Sequence, residues 1–159
     1  MGAPFEQKIL PPQQLAMRLA SVARPLVFTN GVFDILHRGH VTYLAQARAL
    51  GATLLVAING DASARRLGKG EDRPLNALAD RMAVIAALES VQLVTWFDED
   101  TPLALILASR PEVLVKGGDW KPEAIIGATE VRSWGGSAHS IPFEHQRSTT
   151  ALLKKIRGT

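Results

Sequence analysis

Two histidines, His37 and His40, stand three residues apart where an apolar segment gives way to a helical pattern. Residues at this spacing share one face of a helix, so both imidazoles can point at one site. Gly39 lies in the first turn of the expected helix, where unpaired N–H groups and the helix dipole favour a phosphate. Imidazole can donate to phosphate oxygens and, when charged, offset negative charge that develops during a reaction. The spacing therefore favours a site for a phosphorylated ligand.

Other roles are compatible with the same residues. The pair could ligate zinc, although only His139 and His145 remain as further nitrogen ligands and zinc usually takes four. The pair could also be ordinary surface or capping histidines. Phe33 fits core packing as well as stacking on a base, and Asp34 could hold a turn by bonding nearby backbone N–H groups.

The composition limits the class of ligand. The chain has 159 residues, 47% of them apolar and 21% charged, which indicates one globular domain. Its 18 basic residues are scattered among 15 acidic ones and only 6% of residues are aromatic, so a small anionic ligand fits better than nucleic acid. There is no cysteine, which excludes disulfides, thiolate zinc sites and cysteine nucleophiles and fits a cytoplasmic location. We expect no membrane span, because no apolar run approaches roughly 20 residues. We also expect no signal peptide, because the start "MGAPFEQKILPP" lacks a basic segment followed by an apolar stretch.

Short aliphatic runs alternate with helix-period segments along the chain. This pattern predicts strands at Leu26–Thr29, Thr53–Asn59, Gln92–Phe97, Glu112–Val115 and Ser137–Phe143. It predicts helices near Gly39–Leu50, Ala62–Leu67, Ala77–Ser90, Pro102–Ser109, Pro122–Trp134 and Thr149–Ile156, with Asp61, Asn76 and Thr101 as N-caps. Residues 1–24 read as an N-terminal extension with a short helix near Gln13–Ala23, and residues 25–159 as the main domain.

Strands that alternate with helices predict an α/β fold, a single doubly wound Rossmann-like domain with a five-stranded parallel sheet in the order 3-2-1-4-5. Ligands of such folds bind at the carboxyl ends of the strands beside the point where the order reverses. The segments that follow strands 1, 4 and 5 are "TNGVFDILHRGH", "VKGGDW" and "FEHQRSTT". Glycines and polar residues thus stand where the topology predicts a ligand.

The pattern "GXFDXXHXGH" at Gly31–His40 resembles the signature of the cytidylyltransferase-like nucleotidyltransferases. The second element of that family is a Ser/Thr cluster after the last strand, which "RSTT" at Arg147–Thr150 matches. The segments "RLGKGEDRPLN", "ADRM", "LVKGGDW" and "RSTTALLKKI" are similar to the branch that adenylylates heptose 1-phosphates. The resemblance extends from Leu26 to Arg157.

The resemblance implies that ATP and a heptose 1-phosphate give ADP-heptose and pyrophosphate. The sugar phosphate oxygen would attack the α-phosphorus, and pyrophosphate would leave in line. The sequence has no cysteine and no convincing Ser–His–Asp arrangement, so a covalent intermediate is unsupported. Direct displacement requires mainly positioning and charge stabilisation. The family also implies Mg²⁺ held through the triphosphate rather than by protein ligands, a homo-oligomer, and a separate kinase that makes the sugar phosphate.

The resemblance also assigns residues. Catalytic roles fall to His37, His40 and Lys69. The nucleotide is expected to contact Thr29, Asn30, Gly31, Val32, Phe33, Gly39, Arg147, Ser148, Thr149 and Thr150. The acceptor is expected to contact Asp34, Lys116, Gly117, Asp119, Trp120 and Arg81.

Several of these residues also have structural interpretations. Lys69 could be a solvated loop lysine, Arg81 a member of a surface ion pair, and Ser148 an ordinary N-cap. His145 and Gln146 stand where relatives often have smaller or acidic residues. We expect this segment to lie close to the base and so to affect the choice between adenine and cytosine. The alternative functions are cytidylyl transfer to glycerol 3-phosphate or another small phosphorylated acceptor, and a nucleotide-binding module without catalysis.

Overall fold

The computed structural model describes residues 2–145 and 148–159. Within them, five parallel strands form one sheet in the order β3-β2-β1-β4-β5, as the alternation predicts. The strands are β1 (Leu26–Gly31), β2 (Thr53–Asn59), β3 (Leu93–Phe97), β4 (Val113–Gly117) and β5 (Ser137–Ile141). β1 is paired with β2 on one side and with β4 on the other, so the strand order reverses beside β1.

Seven α-helices lie in the described ranges. They are α1 (Pro12–Leu19), α2 (Arg38–Arg48), α3 (Asp61–Arg66), α4 (Leu78–Ala86), α5 (Leu103–Ser109), α6 (Ala128–Ser133) and α7 (Thr149–Arg157). Short 3₁₀ segments occur at Pro4–Lys8 and Pro122–Ala124. None of the helices in these ranges is both long enough and apolar enough to cross a membrane.

Successive residues of β1 point to opposite faces of the sheet, and each face carries a separate core. Phe28 packs in a cluster with Leu15 and Ile106, so α1 and α5 cover that face. Val27 packs in the other cluster, to which α2 and α4 contribute Leu44 and Ile85. The sheet is therefore covered by helices on both faces, which leaves the strand ends as the place for a ligand.

The N-terminal residues pack against the sheet. Ile9 forms a parallel bridge with Val94 of β3, and the Leu10 N–H donates to the Val94 carbonyl at 2.9 Å. The Thr95 hydroxyl donates to the Leu10 carbonyl, also at 2.9 Å. Leu15 of α1 is buried in the core. These contacts tie residues 4–19 to the domain that the extension precedes.

Some predicted boundaries were wrong, for local reasons. The single helix expected at 122–134 is a 3₁₀ turn followed by α6, because Gly127 has a φ of 88° and interrupts the helical path. A Cβ at Gly127 would lie 2.7 Å from Ile106 Cδ1, so the close approach of α5 also requires glycine. β5 ends at Ile141, before Pro142, which has no N–H to donate to the sheet.

The predicted N-caps were also wrong. Gly60, Ala77 and Pro102 occupy those positions, and none caps its helix with a side chain. Asp61 instead accepts a hydrogen bond from Arg81, and the Asn76 amide donates to the Asp34 carbonyl. Both side chains are used for contacts distant in sequence, which outweigh the local preference.

Candidate active site

The two histidines form the start of α2. His37 is the N-cap, and its Nδ1 accepts the Gly39 N–H at 3.1 Å. The His37 N–H in turn donates to His40 Nδ1 at 3.4 Å. The two rings stack with their centroids 3.9 Å apart. Because each Nδ1 accepts a backbone N–H, each neutral imidazole carries its proton on Nε2, where it can donate to a ligand.

His40 is neutral at pH 7. Burial, then the charge of His37, then the charge of Lys69 lower its pKa to about 4. Of the two forms that the sequence left open, the ring in the unliganded protein is therefore the neutral hydrogen-bond donor rather than the cation.

Two glycines allow the close packing of rings at this end of the sheet. A Cβ at Gly39 would lie 2.9 Å from His37 Cε1, so only glycine lets the His37 ring fold over the helix start. A Cβ at Gly31 would lie 2.9 Å from the Phe33 ring, which is buried and meets His40 edge-on with centroids 5.5 Å apart. Phe33 itself has a φ of 49°, a left-handed conformation that is costly for a bulky residue.

A cleft opens beside the histidines, at the carboxyl ends of the strands. Its larger cavity, of about 540 Å³, is lined by Asn30, Gly31, Val32, Phe33, Asp34, His37, His40, Tyr43, Lys69, Arg73, Lys116, Gly117, Trp120, Phe143, Ser148, Thr149 and Thr150. A smaller cavity of about 200 Å³ adjoins it and shares Asn30, Gly31, Val32, Lys69, Lys116 and Trp120. Asn59, Leu67, Asp100, Thr101, Pro102, Ala124, Ile125 and Ile126 complete the smaller cavity. Segments after β1, β4 and β5 thus meet at one cleft.

Four of the predicted site residues do not line this cleft. Thr29 is buried within β1, and its hydroxyl shares a hydrogen bond with the Tyr43 hydroxyl. Gly39 contributes its N–H to His37. Asp119 is exposed and borders a shallow hollow together with His139. Arg81, the fourth, is described below, and Arg147 and Gln146 lie outside the described residues.

Arg81 is neither a surface residue nor in contact with the cleft. Its side chain has no solvent exposure. One Nη donates to the carbonyls of Val32 and Asn59, each at 2.8 Å, and Nε donates to the Asn76 carbonyl at 2.9 Å. The other Nη bonds the Asp61 carboxylate at 2.7 Å. This arrangement argues against contact with the acceptor; Arg81 joins the ends of β1 and β2 instead.

Asp34 is likewise committed to contacts within the protein. Its carboxylate accepts Arg73 Nε at 2.8 Å and the N–H groups of Leu75 and Asn76 at about 2.9 Å. Burial alone would raise the pKa of this carboxyl, but these hydrogen bonds and the Arg73 charge outweigh it and lower the pKa. Asp34 is therefore an anion whose charge is already neutralised at one side of the cleft.

Lys69 and Lys116 both line the two cavities. Burial and the neighbouring charge of Lys69 lower the pKa of Lys116. The Lys116 ammonium lies 5.7 Å from the centre of the Trp120 ring, a favourable cation–π arrangement. The interaction between the two lysines makes the cleft electropositive where the cavities join, and an anion bound there would relieve the repulsion.

The start of α7 closes the larger cavity. Ser148 is its N-cap and accepts the Ala151 N–H at 2.9 Å, while the Thr149 hydroxyl donates to the Ile35 carbonyl at 3.2 Å. Both α2 and α7 therefore begin at the cleft, and their N-termini favour an anion. A Cβ at Gly39 would lie 3.3 Å from the His145 carbonyl, so the segment before α7 passes beside the histidines.

Sequence reasoning missed an aromatic wall of the cleft. Tyr43 is buried, and its ring meets Phe143 edge-on with centroids 5.8 Å apart. Phe143 also meets His40 at 6.2 Å. Tyr43 follows His40 by three positions on α2, so the helical spacing that paired the histidines could also have found it. Asn59 carried no comparable signal, since its place at the cleft depends on the folded chain.

Comparison with known proteins identifies the family. Residues 28–155 match the model of the cytidylyltransferase-like family. The chain belongs to this family. A D-beta-D-heptose 1-phosphate adenylyltransferase of Bordetella bronchiseptica is 60% identical over 158 residues, which cover 98% of each chain. The bifunctional protein HldE of Salmonella arizonae is 52% identical over 152 residues, and the match covers 94% of this chain and 32% of that protein.

Two solved structures resemble the present one. A lipopolysaccharide core biosynthesis protein from Thermoplasma volcanium superposes with a TM-score of 0.63 at 27% identity, over 77% of this chain and 98% of that one. A pantoate-beta-alanine ligase from Francisella tularensis, at 14% identity and a TM-score of 0.60 over 89% of this chain and 68% of that one, shows the shared fold alone.

Proposed function

We propose that this protein transfers the adenylyl group of ATP to D-glycero-β-D-manno-heptose 1-phosphate and so makes the ADP-heptose used for the lipopolysaccharide core. The observation that carries this proposal is the 60% identity, over 98% of both chains, to the Bordetella adenylyltransferase. The cleft supports it, because it combines two helix N-termini, two imidazole donors and two lysines at the strand ends. These are groups that bind phosphates and stabilise their charge.

The reaction is a direct displacement at the α-phosphorus of ATP. An oxygen of the sugar phosphate forms the new P–O bond as the bond to the β-phosphate oxygen breaks, and pyrophosphate leaves with that electron pair. His37 and His40 donate from Nε2 to the phosphate oxygens, and Lys69 offsets their charge. Such preorganised donors contribute most in a water-poor site.

The two cavities divide the substrates between them in this proposal. The nucleotide occupies the larger cavity, with its phosphates between the N-termini of α2 and α7. The sugar occupies the smaller cavity, where the polar side chains of Asn30, Asn59 and Thr101 and the face of Trp120 can contact a polyol. Lys69 and Lys116 line both cavities, at the place where the two phosphates must meet.

Mg²⁺ is proposed to arrive with ATP. In residues 2–145 and 148–159 no group of three or more His, Asp or Glu side chains could hold a metal ion. The Asp34 carboxylate, which lines the larger cavity, already accepts three N–H donors. Mg²⁺ commonly keeps several waters and binds substrate phosphates, and it would shield the charge of the triphosphate. We further propose that the protein works in the cytoplasm as a homo-oligomer.

Pyrophosphate release with defined substrates tests the function. The purified protein is assayed with ATP, CTP, GTP or UTP against the two anomers of heptose 1-phosphate and against glycerol 3-phosphate. We expect release with ATP and the β-anomer and formation of ADP-heptose. Faster release with CTP and glycerol 3-phosphate would establish the cytidylyltransferase alternative instead. ATP binding without release from any acceptor would indicate a non-catalytic module.

A further inference from the structure

The loop that carries Lys69 is attached to the histidine segment through one buried carboxylate. This loop spans residues 67–77, between α3 and α4. The Asp34 carboxylate accepts Arg73 Nε at 2.8 Å, the Leu75 N–H at 2.9 Å and the Asn76 N–H at 2.9 Å. The Asn76 side-chain amide also donates to the Asp34 carbonyl at 2.6 Å. Asp34, which precedes His37 by three positions, thus holds the second half of the loop against the histidine segment.

Lys69 depends on this attachment for its place over the cleft. It lies between Gly68 and Gly70, whose φ values of 69° and 134° are left-handed. Because glycine has wide conformational freedom, the local backbone alone does not fix the position of Lys69. None of the ion pairs in the described ranges includes Lys69. The position of Lys69 therefore depends on how the loop is held, and the loop makes buried side-chain contacts with Asp34, whereas its Asp72–Arg157 pair is half exposed.

We propose that Asp34 and Arg73 are positioning residues that hold Lys69 beside the paired imidazoles, and that Asp34 does not bind the acceptor sugar. The kinetic part of this inference rests on the proposed function, whereas the structural part concerns the unliganded protein. The Asp34–Arg73 pair suits the role because its side chains are only 1% and 10% exposed. A buried ion pair that is also hydrogen-bonded holds its two partners in one geometry. Removing either partner leaves an uncompensated buried charge, so the effect of the substitution should be large.

The pKa of His40 reports where Lys69 lies. Lys69 lowers this pKa through its positive charge, after the effects of burial and of His37. The other charged or titratable groups around the same cavity are Asp34, Arg73, Lys116 and Tyr43. In Asp34→Asn, loss of a negative charge would by itself lower the His40 pKa. Withdrawal of Lys69 would raise it, so the two effects have opposite signs.

The test is an NMR titration of the His40 ring in the free protein, for the wild type, Asp34→Asn, Lys69→Met and the double variant. We expect Asp34→Asn to raise the His40 pKa towards that of Lys69→Met, and the double variant to lie slightly below Lys69→Met, because it also lacks the negative charge of Asp34. A His40 pKa that falls or stays unchanged in Asp34→Asn would overturn the proposal. This readout needs no substrate, so it stands or fails separately from the proposed reaction.

Asp72→Asn is the matched control. Asp72 lies in the same loop and pairs with Arg157 of α7, but both side chains are about half exposed. Exposed pairs contribute little, so this substitution of the same type should leave the His40 pKa unchanged. If Asp34→Asn fails to fold, Asn76→Ala replaces it, because it removes one hydrogen bond to Asp34 without changing any charge. The proposal then requires a smaller rise in the His40 pKa, and no rise would overturn it.

Kinetics separate positioning from acceptor binding. We expect Asp34→Asn to lower kcat by about 100-fold, as for loss of one preorganised donor, with an unchanged KM for heptose 1-phosphate. The Asp34→Asn and Lys69→Met effects on kcat should not add. A higher KM for the sugar phosphate at unchanged kcat would instead mean that Asp34 contacts the acceptor.

Discussion

At the scale of single residues, the paired imidazoles bind the backbone through Nδ1, and we propose that they bind the ligand through Nε2. Their Nδ1 atoms accept the N–H groups of Gly39 and His37 at the start of α2. Both residues line the larger cavity, and the Nε2–H of a neutral imidazole can donate to a ligand there. The same geometry is therefore compatible with capping histidines and with phosphate ligands. The three-residue spacing fits the capping role, because it lets His40 Nδ1 reach the N–H of His37.

Replacement of His40 tests its catalytic role. We expect His40→Ala to lower kcat by about 100-fold or more, because it removes a preorganised donor, while the fold is retained. Steady-state pyrophosphate release and circular dichroism provide the two measurements. His139→Ala is the control, since His139 is an exposed residue of β5 whose Nε2 shares a hydrogen bond with the Ser137 hydroxyl. Equal rates for the two variants would make the His37–His40 pair purely structural.

The placement of the two histidines at one helix start could be predicted from the sequence, but the contacts of the buried charges could not. Spacing and residue type suffice for two imidazoles at one helix start. Arg81 and Asp34 were assigned to the acceptor, yet each has its partners far along the chain, Val32 for Arg81 and Arg73 for Asp34. A sequence shows that a residue is charged, and only the fold shows whether that charge is buried and paired.

At the scale of elements, the candidate site lies at the carboxyl ends of the strands, and glycines allow neighbouring elements to approach closely. The alternation of strands and helices predicted the sheet order because right-handed crossovers leave few topologies. The break at Gly127 could not be predicted, since helical periodicity continues through it and the constraint comes from Ile106 of α5. Periodicity reports which face is apolar, but it does not report how closely two helices approach.

Gly39→Ala tests the packing at the start of α2. Alanine favours a helix over glycine by about 0.5–1 kcal/mol, so we expect the stability of the protein to be retained. The new Cβ would lie 2.9 Å from His37 Cε1 and must displace that ring, so we expect kcat to fall. Urea unfolding and pyrophosphate release measure the two effects. Val41→Ala, on the exposed side of the same helix, should leave kcat unchanged; full activity of Gly39→Ala would show that the ring position does not matter.

At the scale of the whole molecule, the N-terminal residues complete the structure on which the cleft is built. The sequence suggested an extension followed by a domain, because no strand precedes Leu26. In the structure, α1 contributes Leu15 and Leu19 to the same core as Phe28 of β1. Such a contribution depends on which sheet face is left uncovered, and local patterns do not carry that information.

Leu15→Ala tests this contribution. Leu15 is 2% exposed, so its truncation should lower the free energy of unfolding by about 2–5 kcal/mol, through lost burial and the cavity left behind. Met17→Ala is the matched control on the same helix, since Met17 is 77% exposed and should have almost no effect. Both variants should keep the wild-type KM for ATP below their melting temperatures. Equal stability of the two variants would mean that α1 is dispensable for the core.

The bridge between Ile9 and Val94 has a consequence for how the protein behaves in solution. An outer strand of a sheet presents unpaired N–H and C=O groups, which recruit strands from other molecules and seed aggregates. Here the chain's own early residues occupy the free side of β3, through Leu10 and Thr95 as well as the bridge itself. This self-pairing shields that margin against intermolecular β-addition, a protection that any truncation of the segment would remove.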